Sequence, residues 1–191
     1  MKMLLKKRDL SDCQALYSLL THPDVFPFIR HKPNSYEEFL FMTKQTIEAE
    51  ERGEMISRTI VDEWDRPIGT INLYDIANGA GFLGTWLGKP YHGKGYNILA
   101  KELFFEELFF VQNMETVLLR IRLENIRSQK AAEKIPYVTL ANQSRPSIYK
   151  AINENPSGYR YNLYEITKDA YSLYYKKNNA QVQGPIHPLE A

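Results

Sequence analysis

The residues best suited to chemistry lie in one run, Trp86-Leu87-Gly88-Lys89-Pro90-Tyr91-His92-Gly93-Lys94-Gly95-Tyr96-Asn97. It leaves a strand-like segment and enters a helical one. Glycines at such a junction let the backbone approach a ligand closely and turn successive N–H groups toward it. The helix that follows adds the partial positive charge of its N-terminus. Lys94 and His92 stand alongside. This arrangement suits a pyrophosphate. It is not a Walker loop, because no Gly-Lys-Ser/Thr follows four spacer residues. Nor is it the dinucleotide fingerprint, because Asn97 and Ile98 follow Gly95. The bare motif fits a ligand-free glycine-rich loop equally well.

The elements around this run set its context. Residues 3–7 read as a first strand. Ser11 and Asp12 are cap-type residues before Ala15, Leu16, Leu19 and Leu20 at helical spacing, and His22-Pro23 and Phe26-Pro27 end that helix. Asn34-Ser35 caps a second helix over 36–52, stopped by Gly53. Strands follow over 55–62, 67–76 and 82–87, with Asp65-Arg66-Pro67 and the hairpin pair Asn78-Gly79 between them, so this stretch is an antiparallel meander. Past the glycine-rich loop comes a helix over 97–111. A strand over 116–124 carries Val117, Leu119, Ile121 and Leu123 on one face and Arg120 and Arg122 on the other, with Glu124 on the arginine face. A short helix over 126–135 is next. Residues 137–168 read as strands around a long loop, Ser144 to Gly158, and a turn follows near Tyr171. Residues 178–191, with little periodic apolar content, read as a flexible tail, leaving one domain over 1–177. The class is α/β.

Composition narrows the function. The chain has 191 residues, 24 Lys plus Arg against 23 Asp plus Glu, and a formal net charge of +1. That balance argues against a dedicated nucleic-acid binder. A single cysteine, Cys13, makes no internal disulfide or zinc cluster, and on the first helix it reads as a small core residue. The four histidines are too scattered for a metal site. No apolar run approaches the ~18 residues of a membrane span, and the apolar stretch in MKMLLKKRDL is too short for a signal peptide. These features predict a reduced cytoplasmic protein with no membrane, metal or nucleic-acid partner.

Further markers stand in order around the loop. They are the N-terminal Leu5-x-x-Arg8-Asp9-x-Ser11-Asp12, the run Pro33 to Glu38, the strand Pro67-Ile68-Gly69, the loop His92-Gly93-Lys94-Gly95-Tyr96-Asn97, and Asn125 with Ser128 before Ala132-Glu133-Lys134-Ile135-Pro136-Tyr137. From Leu5 to Lys168 the chain resembles the GNAT superfamily of acyl-coenzyme A-dependent N-acyltransferases, most closely its ribosomal-protein N-terminal acetyltransferase branch. Three positions depart from the family pattern. His92 replaces an Arg or Gln, Asn97 replaces a small residue, and Pro136 replaces a Gly before the aromatic.

The resemblance implies one twisted, mixed, mostly antiparallel sheet with helices on both faces and strands splayed at a coenzyme A cleft. It implies that Trp86, Leu87 and Gly88 line the acyl-carrier arm and that the amides of Gly93 to Asn97, with His92, Lys94 and Tyr96, hold the pyrophosphate. Asn125, Ser128 and Lys130 complete the coenzyme contacts. A backbone N–H near Leu87 steadies the developing oxyanion. Asn125 positions the acyl arm or a water, and Ser128 hydrogen-bonds the departing thiolate. Glu124 is one general-base candidate. Asp75, Tyr74 and a water chain are others, and Glu124 also reads as a surface ion-pair residue. Phe26, Phe28, Tyr74 and Trp86 line the acceptor pocket or pack in the core. The co-substrate is acetyl-coenzyme A, with no metal. The acceptor is a primary amine, either a protein or peptide N-terminus or a small molecule, attacked directly in a ternary complex by a monomer or homodimer. Two alternatives remain open: a non-catalytic coenzyme A-binding module or sensor, and an interaction domain with no coenzyme site.

Overall fold

The computed structural model describes residues 3–182, with side chains over 3–179. The chain divides into two compact units, Met1–Met114 and Glu115–Ala191.

The first unit contains β1 (Leu4–Lys7), α1 (Cys13–Leu20), α2 (Tyr36–Glu51), β2 (Ile56–Val61), β3 (Pro67–Ala77), β4 (Ala80–Leu87) and α3 (Tyr96–Glu106). Its strands pair in the order β1-β2-β3-β4, each antiparallel to the next. The hairpin between β3 and β4 turns on Asn78 and Gly79, with φ of 51° and 73°, the left-handed pair that a two-residue turn needs. At the start of α2, Ser35 Oγ accepts from the Glu38 N–H (3.1 Å) and Glu38 Oε2 accepts from the Asn34 N–H (2.7 Å), a reciprocal cap. The start of α1 differs from expectation. A 3-10 turn over Leu10–Asp12 precedes the helix, so the cap moves back to Asp9, whose Oδ1 accepts from the Ser11 N–H (2.7 Å). Asp12 instead takes the Lys6 ammonium (2.9 Å).

Side chains alternate across the strands, and the register Ser57↔Asn72↔Gly84 and Thr59↔Thr70↔Trp86 sorts them into two faces. One face carries Ser57, Thr59, Thr70, Asn72, Tyr74 and Trp86. It meets α1 and α2, where Cys13, Leu16, Leu20, Val25, Ile29 and Phe39 form a core cluster on which Phe26 and Trp86 pack. Cys13 is fully buried there. The other face carries Arg58, Ile60, Ile71 and Leu73 and meets α3, whose Phe104, Phe105 and Ala100 are buried. With both faces covered, all of β2 is buried. The helix expected over 97–111 is α3 followed by a π-turn, Glu107–Val111. From that turn Glu107 accepts from Arg58 Nε (3.0 Å to Oε1 and 3.1 Å to Oε2) and from its Nη2, while Glu50 of α2 accepts from Arg58 Nη1 (2.6 Å).

The second unit contains β5 (Thr116–Arg122), α4 (Ile126–Glu133), β6 (Thr139–Leu140), α5 (Pro146–Asn153), β7 (Tyr161–Thr167) and α6 (Lys168–Val182), with antiparallel order β5-β7-β6. Val117, Leu118, Leu163, Tyr164 and Ile166 fill its core. Several tyrosines near the end pack together. Tyr137 meets Tyr171 edge to face at 5.2 Å and Tyr174 at 4.9 Å, and Tyr164 OH donates to Glu133 (3.1 Å).

Three expectations are corrected here. The long loop over 144–158 contains α5, begun by Pro146 at its first turn, a position where proline is pre-set for a helix. The turn near Tyr171 is part of α6, which continues five residues into the stretch read as a tail; residues 183–191 lie outside the described residues. Strand β5 ends at Arg122, so Glu124 lies in an exposed turn and not on the arginine face of a strand.

Candidate active site

Strand β4 delivers the glycine-rich run to the N-terminus of α3. The Gly88 N–H donates to the Ile68 carbonyl (2.8 Å). By the alternation of an antiparallel pair, the N–H and C=O of Leu87 therefore point away from β3. His92 Nε2 lies 2.8 Å from that Leu87 carbonyl. A carbonyl only accepts, so Nε2 carries the proton. His92, expected beside a phosphate, thus ties the loop back to the end of β4.

Between His92 and α3 the chain passes through Gly93 (φ 72°) and Gly95 (φ 84°), left-handed conformations that suit glycine. A Cβ at either position would meet nothing within 4 Å, so the turn opens onto free space. Gly95 caps α3 without a side-chain bond, leaving the first amides of the helix, Tyr96, Asn97 and Ile98, without intrahelical acceptors. Tyr96 is buried and stacks edge to face on Tyr91 (5.6 Å, 82°), bracing the loop across its width. Lys89 is engaged by Asp24 (2.6 Å). Lys94 is exposed and has no ion pair among the described residues.

The expected acceptor residues gather on the α1–α2 face of the sheet, with one exception. Tyr74 and Trp86 share that face, and Phe26 packs with Trp86 against the helix cluster. Gly84 makes room for the Tyr74 ring: a Cβ there would lie 2.5 Å from Tyr74 Cε2. Phe28 stands apart, 81% exposed. Sequence reasoning did not single out Arg30. Its guanidinium lies 4.4 Å over the Tyr74 ring and bonds Asp75 Oδ2 at 2.8 Å. Asp75 sits at φ 53°, in the irregular stretch where the β3–β4 register shifts. Burial pushes the Tyr74 hydroxyl pKa up, and the positive charges of Arg30 and Arg8 pull against it.

In the second unit, Asn125 and Ser128 are brought together. Asn125 Oδ1 accepts from the Ser128 N–H (3.1 Å), making Asn125 the N-cap of α4. The Asn125 amide nitrogen and the half-buried Ser128 hydroxyl keep their hydrogen-bonding capacity. Gln129, which sequence reasoning missed, holds this cap in place. Its amide donates to the carbonyls of Leu123 (2.7 Å) and Arg122 (3.2 Å), and its oxygen accepts from Asn162 (2.8 Å). Glu124 and Lys130 are exposed on either side. Among the described residues no group of three or more His, Cys, Asp or Glu is placed to hold a metal ion. No helix among them is long and apolar enough to cross a membrane.

A family model described as an acetyltransferase (GNAT) domain matches residues 2–137. No curated protein matches the sequence. Several solved structures match the fold. One is RimL, a ribosomal L7/L12 alpha-N-protein acetyltransferase in complex with coenzyme A, with a TM-score of 0.73 and 19% identity over 89% of this chain and 96% of that one. Another is spermidine N-acetyltransferase from Vibrio cholerae in complex with coenzyme A and spermine, with a TM-score of 0.69 and 13% identity over 89% of this chain and 98% of that one. The α/β architecture expected from the sequence is the one these proteins share.

Proposed function

The chain belongs to the GNAT acetyltransferase family, and on that premise we propose that it moves an acetyl group from acetyl-coenzyme A to a primary amine. The observation that carries this reading is the cradle. Two left-handed glycines with open space above them run into a helix whose first amides lack acceptors. Such a site fits a pyrophosphate by backbone N–H groups and helix charge together.

Acetyl-coenzyme A supplies a thioester already activated for transfer. The chain supplies the rest. The amides of Gly93 to Asn97 and the Lys94 ammonium hold the diphosphate. The Leu87 N–H donates to an acyl oxygen as negative charge builds on it. Asn125 orients the acyl arm through its free amide, and Ser128 holds a proton where a leaving sulfur needs one. Glu124, or a water, accepts the proton of the attacking amine. The amine attacks the thioester directly, a reading supported by the full burial of Cys13, which keeps its thiol from serving as an acyl relay. Trp86, Phe26 and Tyr74 shape the acceptor side. Most of the acceleration is positional.

The test is thermal unfolding with and without acetyl-coenzyme A, followed by thiol release against peptides, amino acids, polyamines and aminoglycosides. A native-state ligand at a hundredfold excess over its Kd adds about 2.7 kcal/mol of stability. Protection with thiol release on one acceptor class supports the transferase. Protection without release favours the binding module. No protection overturns the cradle.

A further inference from the structure

We propose that Tyr74 and Arg30, backed by Arg8, form an anion subsite that takes a carboxylate of the acceptor, so that the amine acetylated carries an acidic group and is not a polycation. This rests on the transferase reading above.

Arg8 lies one position past β1, beside Ser57 on the α1–α2 face. Its Nη1 is 3.4 Å from Ser57 Oγ and its Nη2 is 3.4 Å from Thr43 Oγ1, both at the outer limit of hydrogen bonding. Ser57 Oγ donates its proton to Asn72 Oδ1 (2.5 Å), so toward Arg8 it is a neutral acceptor only. Arg8 Nε is sealed from solvent and has no acceptor. Among the described residues no carboxylate pairs with this guanidinium. Burial lowers its pKa, and the more distant charges of Asp12 and Glu50 act on it without offsetting that burial, so the guanidinium is only partly compensated.

Arg30 and Tyr74 stand on the same face. The guanidinium covers the ring and spends one edge on Asp75, leaving further donors. The Tyr74 hydroxyl, protonated at neutral pH as any phenol is, adds another donor. The nearby acidic groups are mostly taken: Asp75 by Arg30, Asp24 by Lys89, Glu38 by the Asn34 N–H, and the two that act on Arg8, Asp12 by Lys6 and Glu50 by Arg58. Glu37, in the first turn of α2, keeps a carboxylate unpaired among the described residues. A spermidine-like acceptor, which needs several carboxylates, meets two guanidiniums here. A carboxylate meets a fork of N–H donors and a phenol, the geometry of strong charge-assisted bonds.

The experiment uses the full chain saturated with acetyl-coenzyme A. Three acceptors are compared: a short peptide with Asp and Glu after its free N-terminus, its Asn/Gln counterpart, and spermidine. Thiol release gives kcat/KM and calorimetry gives the affinity of each. The acidic peptide should exceed its neutral counterpart by about tenfold or more. Arg30→Gln should abolish that preference, and Asp75→Asn, which frees the guanidinium, should increase it. A preference for spermidine or the neutral peptide overturns the proposal, as does an unchanged preference in R30Q. If the coenzyme binds and nothing is turned over, weaker calorimetric binding of the acidic peptide to R30Q than to wild type upholds the subsite; equal or absent binding overturns it. If the coenzyme does not bind at all, the transferase reading falls, and the same peptide titrations still decide the subsite.

Discussion

Two arginines on opposite faces of one sheet make a controlled contrast. Arg58 on β2 is registered opposite Lys7, the residue before Arg8. Arg58 is clamped by Glu107 and Glu50, and those hydrogen bonds outweigh its burial and raise its pKa. Arg8 faces α2 with two long bonds to neutral hydroxyls, and burial lowers its pKa. The first arginine is complete within the chain and pins the ends of α2 and α3 to the strand between them. The second has no ion pair among the described residues, only the more distant charges of Asp12 and Glu50. A fold that pairs one guanidinium so thoroughly and leaves its neighbour without an ion pair marks the second as the one open to a ligand.

The contrast breaks most visibly at Arg58. Arg58→Ala strands Glu107 and Glu50 with no cation, and urea unfolding should show a loss of about 3–5 kcal/mol. Adding Glu107→Gln should recover part of it, giving a measurable coupling in a double-mutant cycle. Next comes Gly84→Ala. Its methyl would sit 2.5 Å from Tyr74 Cε2, so the ring and the Arg30 stacked on it must shift. Overpacking of this kind costs about 1–3 kcal/mol, and the KM for an acidic acceptor should rise with it.

Asp62 repeats the Arg58 situation with the charge reversed. Burial alone would raise its pKa, but bonds from Arg66 Nε (2.9 Å), the Arg66 N–H (3.0 Å) and the Trp64 N–H (3.0 Å) hold it below the usual carboxylate range. Because the folded value is depressed, this stability is complete above the unfolded pKa of about 4 and is lost as pH falls through the folded value. Asp62→Asn should cost about 2 kcal/mol at neutral pH and flatten that part of the acid-unfolding curve. The smallest effect has the opposite sign. Arg8→Met removes a buried charge that has no ion pair among the described residues and should leave stability unchanged or raise it by about 1 kcal/mol, while the acidic-acceptor preference is lost. Destabilisation equal to that of Arg58→Ala would erase the distinction between the two arginines.

Local signals were legible in the sequence. The Asn78-Gly79 hairpin, the Ser35 cap of α2 and the glycine-rich entry to α3 each depend on residues a few positions apart, and each forms as expected. Long-range partners were not legible. Arg30 and Asp75 are 45 residues apart, and Arg58 and Glu107 are 49 apart. Periodicity assigns a side chain to a face but not to a counter-ion across it. Helix α5 was missed for another reason: Ile148, Tyr149 and Ile152 do stand at helical spacing, but its eight residues lie between polar, turn-prone flanks and read with them as one loop. His92 was expected at a phosphate, and its bond to the Leu87 carbonyl was not legible, because it depends on how the loop folds back on β4.

The two left-handed glycines of the cradle have a consequence for handedness. At φ of 72° and 84° the backbone follows a path that is strained for an L side chain and relaxed for its mirror image. A semi-synthetic chain with D-alanine at Gly93 would keep the turn, whereas L-alanine would strain it although the space beside it is empty. Chirality thus separates two demands that natural mutation confounds at this position, the path of the backbone and the room beside it.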